Sequence, residues 1–95
     1  MMFGPRFERC VCADGFSMSV QAHSGAYCRP RVDGASRYES VEVGFPSEPE
    51  AILMEWAEDS DRPTDTVYGW VPVAIIRQVI EKHGGMADGE VPPGV

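Results

Sequence analysis

Glycine and proline break this chain so often that no element in it can run long: ten glycines and eight prolines stand among its 95 residues. That density points to short elements joined by many turns, not to a helical bundle. The length suits one domain with one modest core. No stretch approaches the roughly 20 apolar residues needed to span a bilayer, so no membrane partner is expected. Met1 to Arg6 lacks the apolar run of a secretory signal, and the expected location is the cytoplasm. The three cysteines, Cys10, Cys12 and Cys28, are an odd number. They make a poor disulfide framework and fit reduced thiols in that compartment.

Between the breaks, the periodicity is mostly that of strands. Phe7 to Cys12 alternates loosely and meets the turn signal Asp14-Gly15. Phe16 to His23 alternates cleanly, with Phe16, Met18, Val20 and Ala22 on one face and Ser17, Ser19, Gln21 and His23 on the other. The two runs predict a hairpin. Residues 24–37 read as an irregular arm, because Ser24-Gly25 and Asp33-Gly34 are turn signals and Pro30 is barred from a central strand. Tyr38 to Val43 and Thr66 to Val71 read as further strands. Residues 47–58 fit two states. Ser47-x-x-Glu50 resembles a capping box, while Ile52 to Trp56 also suits a buried strand. The alternation of Glu55 to Glu58 favours an extended segment. Val73, Ile76, Val79, Ile80 and His83 recur at helical spacing after Pro72, and Gly84-Gly85 closes that helix. The expected fold is α+β: an antiparallel sheet of four to five strands, with one C-terminal helix packed on a face. It forms a single domain over residues 1–85, and residues 86–95 have the composition of a flexible tail.

Charge is unevenly placed. The formal net charge is −7, yet residues 39–65 hold nine acids against Arg62 alone, a net of −8. Such a segment repels nucleic acid and attracts basic surfaces, so direct nucleic-acid binding is not expected. It contains Glu48, Glu50, Glu55, Trp56, Glu58, Asp59, Asp61 and Asp65, a candidate docking patch in which carboxylates steer encounter and an aromatic supplies contact energy. Glu58, Asp59, Asp61 and Asp65 hint at calcium but lack the glycine and closing glutamate of an EF-hand loop. A second candidate is Tyr27-Cys28-Arg29-Pro30-Arg31 together with Trp70. Here Arg29 and Arg31 would hold phosphates while Tyr27 or Trp70 stacks on a base. That reading calls for an oligomer such as a homodimer, because one small domain has little room for a pocket. Cys10, Cys12, His23 and Cys28 supply zinc-type ligands, but C-x-C is not the usual spacing, so no metal or other cofactor is expected. Neither His23 nor His83 sits in a recognisable acid–base–nucleophile set, and an enzyme is not expected.

The strings Gly15 to Ala22, Tyr27 to Arg31, Val41 to Ser47 and Thr66 to Pro72 resemble small proteins of tailed bacteriophages and prophages that have no assigned role. The resemblance spans residues 7–85 and carries no catalytic residue with it. It implies a context, the host cytoplasm, and a class of action. Small acidic phage proteins, anti-CRISPR proteins among them, bind and inhibit host proteins, some by presenting carboxylates where phosphates are expected. Others sequester signalling nucleotides, and others are minor virion components. The first of these is the expected function, with a basic-surfaced host protein as partner.

Overall fold

The computed structural model describes residues 6–95; Met1 to Pro5, the start of the stretch read above as lacking a secretory signal, lie outside the described residues. Five strands form one antiparallel sheet: β1 (Cys10–Cys12), β2 (Ser17–Gln21), β3 (Ser40–Gly44), β4 (Val67–Pro72) and β5 (Met86–Asp88), in the order β4-β3-β2-β1-β5. One helix, α1 (Val73–Lys82), packs against β4 and against a 3-10 helix at Ala51–Trp56. The expected α+β architecture is the one that forms. Among the described residues no helix is long and apolar enough to cross a membrane.

The β1–β2 hairpin closes as its turn residues dictate. Gly15 takes φ 95°, and the Asp14 carboxylate accepts from the Phe16 amide at 2.9 Å. The alternation of β2 then sends Phe16, Met18, Val20 and Ala22 into the core, where none is more than 1% exposed. Cys10 and Cys12 share that face from β1. Tyr38, Val41, Val43, Tyr68 and Val71 complete the layer beneath α1. Of the helix's apolar residues, Ile76 and Val79 are fully buried and Val73 and Ile80 half-buried. Burying the first two contributes about 4 kcal/mol. Gly84 and Gly85, at φ 91° and 95°, turn the chain out of the helix, and the Gly85 amide donates to Ile80 O at 2.9 Å.

Two expectations are corrected. Residues 47–58 are not extended: Ala51–Trp56 is a 3-10 helix, and its cap is Glu50, whose carboxylate accepts from the Ile52 amide at 3.0 Å. Ser47, the cap suggested by the sequence, is held elsewhere, because its hydroxyl accepts from the Ser17 amide and its own amide donates to Ser17 O. Glu50 and Ala57, the residues on either side of the helix, are extended, and Ala57 bridges Tyr68 on the open side of β4. Residues 86–95 are likewise not a loose end. β5 pairs with β1, the Glu90 amide donates to Glu8 O, the Tyr38 amide donates to Pro93 O, and Val91 and Val95 pack on the core. Composition misleads here because the glycines of this segment serve close approach. A Cβ on Gly89, at φ 90°, would collide with the Arg9 carbonyl.

Gly89→Ala is therefore expected to cost about 2 kcal/mol or more and to lower Tm by roughly 10 °C. Gly85→Ala, at a similar φ but with nothing within 4 Å of the new methyl group, is expected to cost about half as much. Thermal unfolding followed by circular dichroism compares the two, and equal losses would count against the close-approach account.

Candidate functional site

The acidic segment divides on folding. Glu48, Glu55, Glu58, Asp59, Asp61 and Asp65 are exposed, and Trp56 is half-buried against the core. Glu50 leaves the patch altogether, with only 1% of its side chain exposed. The exposed acids stand on an ordered frame. The Glu58 amide donates to Val67 O, the Asp59 amide to the Thr66 hydroxyl, and the Asp61 amide to the Asp59 carboxylate. Arg62 pairs with Asp65, three residues on. The bridge between Ala57 and Tyr68 anchors this frame along β4.

Glu50 is instead the centre of a buried polar cluster. One carboxylate oxygen accepts from Lys82 Nζ at 2.9 Å and from the Ile52 amide, while the other meets His83 Nε2 at 2.6 Å. His83 Nδ1 meets the Asp14 carboxylate at 2.7 Å, and the imidazole stacks on Phe16 with centroids 4.1 Å apart. With a carboxylate on each ring nitrogen, the imidazolium form satisfies both contacts. Burial alone would raise the Glu50 carboxyl and lower the imidazole. The Ile52 amide, Lys82 and His83 outweigh burial and hold Glu50 below its ordinary 4.5. Hydrogen bonds to Glu50 and Asp14 likewise raise His83 above 6.5. The Phe16 amide, then His83, lowers Asp14. The cluster's partners come from the hairpin turn, the 3-10 helix and the end of α1, and it joins these three elements.

The second candidate comes together in part. The Tyr27 and Trp70 rings stack, with centroids 4.9 Å apart and planes 21° from parallel, and the Arg31 guanidinium carbon lies over the Tyr27 ring at 5.5 Å. Arg29 does not join them; its guanidinium faces Glu39 at 3.8 Å. The stack depends on a β-bulge. Val41 pairs with Val71 and Val43 with Tyr68, so Gly69 and Trp70 together oppose Glu42 alone. The extra residue turns Trp70 outward at φ 52°, and it is 52% exposed. The Trp70 amide donates to Tyr27 O at 3.0 Å, and the Tyr27 amide donates to the Glu42 carboxylate at 2.8 Å. A Cβ on Gly69 would lie 3.3 Å from Tyr27 Cβ, so glycine makes room for the ring. Glu42 and Gly69 were missed in the sequence. The available signal was a glycine inside a strand pattern, which marks a bulge or a close approach.

The four residues of zinc-ligand type take part in other contacts. Cys10 and Cys12 lie in the core, and the Cys28 thiol donates to His23 O and Pro30 O. His23 Nδ1 accepts from the Gly25 amide. Burial pushes the Cys10 thiol up to about 11 and raises Cys12 and Cys28 as well, so all three stay protonated at neutral pH. A groove of about 620 Å³ runs between α1 and the C-terminal segment, lined by Arg77, Ile80, Met86, Val91 and Val95 among others. No family model matches the chain, and the comparisons with curated proteins and with solved structures returned no match.

The cluster fixes a pH dependence. The His83 contribution is complete below pH 6.5 and is lost as pH rises through the higher folded value; the Glu50 contribution is present above 4.5 and is lost as pH falls through the lower folded value. Tm is expected to be higher at about pH 5.5 than at about pH 8, below the range in which the thiols titrate. Glu50→Ala should cost about 3 kcal/mol and flatten the loss between those two pH values. A variant that keeps the full slope would contradict the assignment. At the bulge, Trp70→Gly relieves a left-handed backbone worth about 1–2 kcal/mol and forfeits a stack of similar worth. Its Tm is expected to stay within a few degrees of the parent, and a fall beyond about 10 °C would contradict the strain.

Proposed function

We propose that this chain is a binding protein that docks its exposed carboxylates on a basic surface of a partner protein and blocks that surface stoichiometrically. The observation that carries the reading is the ordered acidic frame: six exposed acids between residues 48 and 65, with one arginine among them. Leu53 and half-buried Trp56 root that frame in the core, and backbone hydrogen bonds to β4 fix it. Charges already held in place lose little freedom on binding, so more of the Coulomb attraction survives as affinity. Spaced carboxylates on a firm support suit a groove whose usual occupant is a phosphate backbone. In the phage setting that the resemblance implies, the partner is a nucleic-acid-binding host protein.

The alternative, a nucleotide site built on Tyr27, Arg29, Arg31 and Trp70, gains less from the geometry. Arg29 is turned to Glu39 and Arg31 lies over Tyr27, so neither guanidinium is aimed past the free face of Trp70. A role as a minor virion component gains no support from any feature of the fold.

The test is capture from a bacterial lysate by the tagged protein, with native mass spectrometry of what is retained. Exposed charges are screened beyond a Debye length of roughly 8–10 Å at physiological salt. A partner with a basic surface should therefore be retained at low salt and released as salt rises. Replacing Glu55, Glu58, Asp59 and Asp61 together by lysine should abolish its capture while the circular dichroism spectrum is unchanged. A partner held equally by the reversed protein would contradict the proposal.

A further inference from the structure

We propose that the free face of Trp70 takes an arginine guanidinium of the partner; this rests on the reading of a basic partner above and adds a chemical identity to one contact. Exposed aromatic residues are common, but this one is held outward against its backbone preference. Among the described residues only Phe45 and Trp70 have positive φ without being glycine, and both are exposed. Phe45 has a local reason for its conformation, because its carbonyl accepts from Arg9 at 2.6 Å and its amide donates to Thr66 O. At Trp70 the bulge, the Tyr27 carbonyl and the Tyr27 ring combine to present an indole face to solvent.

The chemistry of that face selects a cation. An indole is the best of the aromatic cation acceptors, because its quadrupole places negative charge over the ring. The protein as a whole carries a net charge of −7, which favours the approach of a cation over that of an anion. The stack already contains one example of this pairing, Arg31 over Tyr27. A planar guanidinium can lie flat on the ring and still direct its N–H groups sideways to carboxylates, which an ammonium cannot do. The acidic loop begins along the strand that carries Trp70. β4, the edge strand that carries Trp70, is also the strand flanked by Ala57 and Glu58 at the start of the acidic loop. Because Tyr27 holds the indole in place, little side-chain freedom is lost when a partner stacks on it.

The experiment compares a fluorescein-labelled nonamer of arginine with the same nonamer of lysine, by anisotropy at low salt, against the parent protein, Trp70→Ala and Trp70→Phe. Circular dichroism confirms that each variant is folded. The expected result is binding of both peptides by the parent, with the arginine peptide tighter by about three- to five-fold, as for one exposed cation–π contact. Trp70→Ala should erase that preference while leaving affinity for the lysine peptide in place, and Trp70→Phe should retain part of it. Equal binding of the two peptides by the parent, or a preference that survives in Trp70→Ala, would overturn the inference and leave the basic partner standing. No binding of either peptide would overturn both.

Discussion

A carboxylate buried to 1% exposure is tolerable only if its charge is met, and the fold of this chain is arranged so that Glu50 is met by three groups. The Ile52 amide comes from the 3-10 helix that Glu50 itself caps. Lys82 and His83 come from the end of α1, and Asp14, in the β1–β2 turn, closes the chain through the far side of the imidazole. The turn and the helix end also share backbone hydrogen bonds, Asp14 amide to His83 O and Ala13 amide to Gly85 O, and the cluster fixes the 3-10 helix to both. Phe16 under the imidazole ties the polar cluster to the apolar core. A domain of this size has few large side chains to spare, and one cross-linking cluster of this kind replaces apolar area it does not have.

The second organising device is the bulge in β4. It interrupts the most central pairing of that strand, with β3, and does so where glycine permits Tyr27 to lie close against the backbone. The strand thereby serves two purposes. Tyr68 and Val71 remain in the core, while Trp70 between them is thrown outward. The outer side of the same strand holds the start of the acidic loop. Charge and aromatic surface belong to one edge of the sheet, and the proposed role as a binder of basic surfaces draws on both.

Much of the fold was legible because it depends on periodicity. The alternating face of β2 and the helical spacing of Val73, Ile76, Val79 and Ile80 are local patterns, and burial follows from them. What was not legible depends on long-range pairing. Glu50 looks like one acid among nine in its segment, and only the arrival of Lys82 and His83, more than thirty residues away, takes it out of the surface patch. The tail reads as loose until β1 offers it an edge, since three exposed residues have no burial pattern to betray a strand. The site was half legible. Tyr27, Arg31 and Trp70 were singled out and come together, whereas the pairing of Arg29 with Glu39 and the part played by Glu42 arise from tertiary geometry alone.

His83 is a charged link between two carboxylates, Glu50 and Asp14. Nuclear magnetic resonance of the ¹⁵N-labelled imidazole rings reads this directly, because the protonation state of each ring nitrogen sets its chemical shift. Both nitrogens of His83 are expected to remain protonated to a pH above the ordinary 6.5 of a histidine. A single neutral tautomer at pH 6, or a midpoint at or below 6.5, would contradict the charged link and would leave the Glu50 carboxylate with Lys82 as its only cation.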